Sequence, residues 1–201
     1  MATHDPPSDK PALRRLARAR RDAIAPEERE RAAHAAAARI DAHVLAALPA
    51  GATVALYAAM RSELSCAAVA AAAAARGLTT AYPRTLDDVR RLVFHRAAAA
   101  DLVPGRFAIP EPPAALPVVE LAEVAVVIVP GLLFDRDGYR LGWGGGWYDA
   151  TLAGARALRV GLTLEALRVD ALPRAPHDQP VHLVATELAL HAGAARAEDG
   201  P

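Results

Sequence analysis

Apolar residues open the chain at helical spacing. Leu13, Leu16, Ala17 and Ile24 stand among arginines at separations of one and two helical turns, which predicts an amphipathic helix from Lys10 to about Ile24. Pro26 followed by Glu27 and Glu28 marks a second start, since proline suits the first turn and carboxylates suit its positive dipole end. That helix is expected to run through alanine-rich sequence to about Leu48, where Pro49-Ala50-Gly51 stops it. Thr53 to Tyr57 reads as a short buried strand. Ser65 to Arg76 predicts a third helix, because alanine is the best helix former and Gly77 supplies an end. Thr79 to Tyr82 and Leu92 to Phe94 read as strands, whereas the prolines between Pro104 and Pro117 predict loop. Val124 to Val129 is an unbroken apolar run of strand length, the pattern of a central parallel strand covered on both faces. A helical stretch from Tyr148 to Arg156 and strands at Leu158–Leu162 and Val181–Thr186 complete the set. Strands alternating with helices predict an α/β fold, a three-layer α/β/α arrangement around a mostly parallel sheet.

Length and charge narrow the class. A chain of 201 residues fits one α/β domain, drawn at 10–191 between a flexible leader (1–9) and a flexible tail (192–201). Basic and acidic side chains balance at 23 each, which argues against a nucleic-acid-coating surface. No apolar run reaches membrane-span length, and the first residues lack a charged-then-apolar leader pattern. The expectation is a cytoplasmic monomer acting on small molecules. The lone Cys66 excludes an internal disulfide and a cysteine zinc cage. Lys10 is the single lysine among 23 basic residues, and Pro11 follows it. A Walker A loop needs Gly-Lys-Ser/Thr, so any use of ATP takes another route.

Chemistry is sought first in Gly138 to Tyr148, which holds five of the thirteen glycines and both tryptophans. The segment follows the central strand and precedes a helical stretch, the place where open α/β sheets bind ligands. Its glycines expose backbone N–H groups as an anion cradle. The spacing is Gly-x-Gly-x-Gly, and no acidic residue follows at the dinucleotide-binding distance, so NAD is not supported. Asp149 closes the loop, and Asp178 lies in a proline-boxed loop; two such carboxylates plus phosphate oxygens would hold magnesium. His177 and His182 do not make a zinc pair, because Pro180 interrupts them. Asp135 and Asp137 read as turn residues, Glu63 as a possible helix-start carboxylate and Glu111 as a loop charge. Ser62, Ser65 and Cys66 lie in no nucleophile elbow.

The run Val129-Pro-Gly-Leu-Leu-Phe-Asp135 followed by Gly138-Tyr-Arg-Leu-Gly-Trp-Gly-Gly-Gly-Trp-Tyr-Asp149 resembles the signature of the 5-formyltetrahydrofolate cyclo-ligases. Lys10-Pro-Ala-Leu-Arg14, Tyr57 to Glu63, Tyr82-Pro-Arg84, Phe107 to Pro112 and Leu172 to Asp178 accompany it in the same order. The resemblance implies a fold similar to the sugar-isomerase and CoA-transferase-like proteins. It also implies ATP- and magnesium-dependent closure of 5-formyltetrahydrofolate to 5,10-methenyltetrahydrofolate, with Lys10 and Arg140 as the catalytic cations. ATP would lie against Lys10, Pro11, Ala12, Leu13, Arg14, Arg140, Leu141, Gly142, Trp143, Gly144, Gly145, Gly146, Trp147 and Tyr148. The folate would meet Ala58, Glu63, Trp143, Gly144, Gly145, Gly146 and Trp147, with Glu63 accepting from pterin N–H groups, and Asp149 and Asp178 would hold magnesium.

The chain departs from the family pattern at Gly145, where some members carry lysine, and at Trp143 and Trp147, where tyrosine or arginine is usual. Leu167 stands for a common glutamine and Cys66 for a common threonine. Two alternatives stay open at this point: a non-catalytic folate- or nucleotide-binding paralogue, and an enzyme of the same fold with another N-formyl or thiamine-related substrate.

Overall fold

The computed structural model describes residues 9–86 and 90–195; the expected leader, Asp9 excepted, and the tail beyond Ala195 lie outside the described residues. The helices are α1 (Lys10–Asp22), α2 (Pro26–His43), α3 (Ala67–Ala75) and α4 (Trp147–Leu152). The strands run in chain order as β1 (Thr53–Ala55), β2 (Thr79–Leu86), β3 (Arg91–Arg96), β4 (Val103–Pro104), β5 (Pro110–Glu111) and β6 (Val118–Val119). They continue as β7 (Val124–Val129), β8 (Leu133–Asp135), β9 (Arg140–Leu141), β10 (Leu158–Leu162), β11 (Arg168–Val169), β12 (Leu183–Ala185) and β13 (Leu190–Ala192). Eight of them form the central sheet in the order β13-β12-β10-β7-β1-β2-β3-β6. Strands β12 to β2 of that order run parallel, and the flanking β13, β3 and β6 are antiparallel to their neighbours.

Burial on both faces explains the missing polar alternation in β7. Val126 and Ile128 join Ile40 of α2 and Val69 of α3 on one side of the sheet. Val127 and Val129 join Phe94, Phe134 and Leu152 of α4 on the other. The expected three layers and mostly parallel sheet are therefore present. Strand β1 leads through α3 to β2 on one side, and β7 leads through α4 to β10 on the other. The two crossovers leave β1 and β7 as neighbours whose chains depart in opposite directions. That switch in direction opens a crevice at their carboxyl ends.

Several boundaries differ from the sequence reading. Helix α2 stops at His43, and a 3-10 turn at Leu45–Ala47 buries Leu45, where a continued α-helix to Leu48 was expected. Helix α4 ends at Leu152 rather than Arg156, because Gly154 takes a left-handed conformation. Strand β2 continues to Leu86 through Pro83, which sits opposite Phe94 in the antiparallel hairpin with β3. The proline-rich segment is mostly loop but carries the short β4–β5 ladder. Glu111 is no loop charge: it is buried and accepts from the Thr85 hydroxyl at 2.7 Å, tying β5 to β2. The last expected strand narrows to Leu183–Ala185, with β13 added beside it. Among the described residues no helix is long and apolar enough to cross a membrane.

Phe134 fixes the sheet to the loop that follows it. Its ring is fully buried between Gly131 and Gly161, and a Cβ built on Gly131 would lie 2.5 Å from that ring, one on Gly161 closer still. Overpacking of this kind costs about 1–3 kcal/mol. Gly161→Ala is expected to lower the unfolding free energy by that amount, read as a lower urea midpoint at constant m-value, and an unchanged midpoint would show that Phe134 has room to move.

Candidate active site

Helix α1 supplies the first wall. Asp9 caps it, accepting from the Ala12 N–H at 3.2 Å on its side chain and from the Leu13 N–H at 3.1 Å on its carbonyl. Pro11 has no N–H, and Leu13 is buried in the core. Within the expected phosphate-binding segment Lys10–Arg14, Pro11 is exposed and the two cationic side chains, half-buried, reach across to other loops. Lys10 Nζ donates to Asp178 Oδ2 at 2.6 Å, and Arg14 Nε donates to the Gly142 carbonyl at 2.9 Å. The helix thus lies on a loop well over a hundred residues away in sequence.

Asp135 builds the turn that presents that loop. Its Oδ1 accepts from the N–H groups of Asp137 (3.0 Å) and Tyr139 (2.9 Å), and its Oδ2 from Arg174 (3.0 Å). These bonds make it the turn residue its spacing indicated. Gly138 closes the turn at φ +82°, where a Cβ would lie 2.6 Å from the Val181 carbonyl. The turn therefore rests directly on the chain entering β12. Strand β9 follows, with Leu141 buried beneath the glycines and Arg140 directed at the loop before β12.

Arg140 is the centre of the second wall, its side chain only 4% exposed. It donates to Asp149 Oδ1 at 2.9 Å and to the Gln179 carbonyl at 2.7 Å, while Asp149 Oδ1 accepts from the Gln179 N–H at 3.1 Å. Arginine and aspartate together hold both backbone groups of Gln179, and this places Asp178 beside Lys10. Burial pulls the Arg140 pKa down, and the neighbouring Asp149 opposes the shift. Between these walls run Gly142 to Gly146, with Gly144 (φ +106°) and Gly146 (φ +71°) in conformations closed to larger residues. The sequence pattern also invoked the dipole of a following helix. Helix α4 is six residues long, so that contribution is small. The cradle rests on loop backbone and cationic side chains.

A separate network occupies the ends of β1 and β7. Trp143 Nε1 donates to Glu63 Oε1 at 2.8 Å, and the guanidinium groups of Arg18, Arg21 and Arg61 stand 5.4 to 5.8 Å from the indole centroid. Glu63 Oε2 also accepts from the Met60 N–H at 3.0 Å, so this carboxylate orders its own loop rather than a helix start. Arg21 Nε donates to Ser62 Oγ at 3.0 Å. A small cavity of about 10 Å³ lies here against Arg21, Tyr57, Glu63, Gly131, Thr163 and Leu167. An open cleft of about 310 Å³ adjoins it, sharing Glu63 and Leu64. Ala58 is half-buried in the loop that precedes Glu63. Cys66 is buried, which pushes its thiol up to about 12 and leaves it no nucleophile.

The fold therefore gathers Lys10, Arg14, Arg140, Asp149 and Asp178 around one glycine loop and joins Trp143 to Glu63. Trp147 stands against Gly145, where a Cβ would lie 2.5 Å from the indole, and Arg106 lies 5.8 Å from its ring. Tyr148 is packed against the core with its hydroxyl buried, and burial raises its pKa. His182 is occupied by the Arg159 N–H at 2.9 Å and His177 is exposed, as expected of residues that do not pair. Sequence reasoning missed Arg21 and Thr163. The available signal was spacing: Leu13, Ala17 and Arg21 fall on one helix stripe, and all three are buried.

Fold and site together define an open-sheet α/β protein with alternating cations and carboxylates at the carboxyl ends of its strands. The chain belongs to the 5-formyltetrahydrofolate cyclo-ligase family, whose model it matches over residues 6–187. It is 41% identical over 80 residues to the 5-formyltetrahydrofolate cyclo-ligase of Mycolicibacterium smegmatis, a match spanning 38% of this chain and 41% of that one. It is 33% identical over 113 residues to the enzyme of the same name from Escherichia coli K12, spanning 54% of this chain and 61% of the relative. The chain thus spans less than two thirds of the length of these curated relatives. The solution structure of 5,10-methenyltetrahydrofolate synthetase from Aquifex aeolicus superimposes with a TM-score of 0.77 at 27% identity, covering 91% of this chain and 92% of that one. The Mycoplasma pneumoniae synthetase, at 21% identity and TM-score 0.72, shares the fold, covering 89% of this chain and 99% of its own.

The Lys10–Asp178 pair has a pH signature. Burial pushes the Asp178 carboxyl up, but the Lys10 ammonium, the Ala175 N–H and His177 outweigh it and hold the group below its ordinary 3.8. A depressed carboxyl stabilises the fold fully above the unfolded value and loses that contribution as pH falls through the folded one. Lys10→Met is expected to cost about 1 kcal/mol at neutral pH, and the difference from wild type should close below pH 3.8. A difference that persists unchanged into acid would rule out the ion pair as its source.

Proposed function

We propose that this chain catalyses ATP-dependent cyclisation of 5-formyltetrahydrofolate to 5,10-methenyltetrahydrofolate, releasing ADP and phosphate. The observation that carries this is the alternation of Lys10 with Asp178 and Arg140 with Asp149 around the glycine loop, next to the Glu63–Trp143 pair. Family membership and the names of the relatives support the same substrate.

The formyl oxygen attacks the γ-phosphorus of ATP and ADP leaves, giving an N5-iminium phosphate. N10–H then attacks the activated carbon, its proton passes to solvent or to the departing phosphate, and expulsion of phosphate leaves the methenyl cation. An amide oxygen is a poor leaving group and its phosphate ester a good one, so the protein's part is positioning and charge neutralisation. Lys10, Arg14 and Arg140 meet the phosphates, with the backbone of Gly142 to Tyr148 completing the cradle; Pro11, Ala12, Leu13 and Leu141 shape its floor. Ala58, Glu63 and the Trp143–Trp147 segment meet the folate, Glu63 as acceptor for ring N–H groups.

Magnesium fits the donor set. Asp149 takes the contacts above on Oδ1, and Asp178 takes Lys10 and the Ala175 N–H on Oδ2, so those bonds leave a second oxygen on each, that of Asp178 with His177 Nε2 3.8 Å away. Two carboxylate oxygens plus phosphate oxygens and water are what magnesium takes. Bound there, it would neutralise charge on the transferred phosphoryl group.

The direct test is appearance of methenyl absorbance from 5-formyltetrahydrofolate, with and without ATP and magnesium. Folate binding with no chromophore would favour a non-catalytic paralogue. Asp178→Asn is expected to raise the magnesium concentration for half-maximal rate about tenfold, the worth of one charge-assisted contact. Asp149→Asn should do the same but also lower stability, since it strips the charge partner from buried Arg140. Unchanged magnesium dependence in both variants would remove the metal assignment.

A further inference from the structure

Arg21 occupies a position that folding alone favours for an apolar residue. It extends the buried stripe of Leu13 and Ala17 on α1, and its side chain is 3% exposed. Removing a guanidinium from water is costly unless its donors are met. Here only part of that need is satisfied. Nε donates to Ser62, while Nη1 stands 3.8 Å from Glu63 Oε1, too far for a hydrogen bond. Among the described residues, Nη1 and Nη2 find no hydrogen-bond acceptor. The other charges at the same indole, Arg18 and Arg61, are of like sign. Burial shifts the Arg21 pKa down, against the pull of Glu63, but a guanidinium stays charged.

The unmet donors border the small cavity at the ends of β1 and β7, beside the Glu63 carboxylate. That cavity admits little more than one water, but it adjoins the open cleft through Glu63 and Leu64, and 310 Å³ is enough for a small ligand. Glu63 lines both spaces and Arg21 only the small one, so a ligand that spans from the cleft past Glu63 into the small cavity, displacing water, would present one polar edge to Glu63 and Arg21. Donors beside an acceptor complement a cyclic amide, which offers a carbonyl oxygen next to an N–H. A pterin ring carries that edge: its 4-carbonyl, then N3–H, then the 2-amino group.

We infer that Arg21 is a specificity residue that donates to the pterin 4-carbonyl oxygen while Glu63 accepts from N3–H and the 2-amino group. This rests on the cyclo-ligase reading and names the determinant by which the site recognises the oxidation pattern of its ring. It predicts discrimination against a 4-amino analogue of the folate, in which a donor replaces the acceptor that Arg21 needs. Leaving a buried donor unpaired is the kind of mismatch that proteins reject strongly.

The experiment measures dissociation constants of 5-formyltetrahydrofolate and its 4-amino analogue by calorimetry, for wild type, Arg21→Met and Arg21→Lys, with the chromophore assay in parallel. Wild type is expected to prefer the 4-oxo ligand at least tenfold. Arg21→Met should reduce that ratio several-fold without abolishing it, because the 4-amino ring also lacks the N3–H from which Glu63 accepts, and Arg21→Lys, which keeps a charge and a donor, should lose less of it. A wild type that binds both ligands equally would overturn the inference without any variant. So would variants that weaken both ligands by the same factor, the result expected of a residue that only props up Glu63 and Trp143. A wild type that discriminates yet forms no methenyl product would instead overturn the activity and leave the recognition standing.

Discussion

Two guanidinium groups buried at the carboxyl ends of a parallel sheet set the terms for everything around them. Arg140 cannot be left without a counter-charge in that environment, and Asp149 and the backbone of Gln179 provide it. Meeting this need pins the loop before β12, which in turn delivers Asp178 to Lys10. Arg21 makes a weaker demand on Glu63 and Ser62, and through Trp143 it joins the glycine loop to the end of β1. Helix α1 is held across the crevice by these contacts and by Arg14 on Gly142. The charges that would neutralise a triphosphate are the same ones that keep the loops in place.

The departures from the family pattern are also coupled to one another. Trp147 fills the space that a side chain at Gly145 would enter, so a lysine there and an indole two residues on compete for one volume. The loop loses a flexible cation and gains a flat wall under Arg106. Trp143, likewise, is not a free wall: its N–H is committed to Glu63 and its ring lies among arginines. Leu167 lines the small cavity, where a glutamine would have offered a polar group.

Much of this was legible from residue order. The unbroken apolar run of β7 gave its place in the sheet, and the density of glycine and tryptophan after it located the site. Asp149 and Asp178 were read from their loop positions and Lys10 and Arg140 from resemblance, and they pair as Lys10–Asp178 and Arg140–Asp149. What could not be read was set by tertiary contact. No local pattern separates a helix of six residues from one of nine until Gly154 is seen in its left-handed turn. Nor does the sequence announce β8, β9 and β11, which are two or three residues long and exist because Asp135 and Gly138 dock against the next loop. Arg21 was passed over because an arginine among arginines reads as solvated, although its stripe position was in plain view.

The central claim is that the cations around the glycine loop drive ring closure by moving a phosphoryl group onto the formyl oxygen. Substrate carrying ¹⁸O in its formyl group tests this without a variant. The claim requires that bond cleavage occur between carbon and that oxygen, so each methenyl product should be matched by one inorganic phosphate bearing the label. Label appearing in water, with phosphate unlabelled, would mean that ATP is spent on some other step, and the role assigned to Lys10 and Arg140 would fall with it.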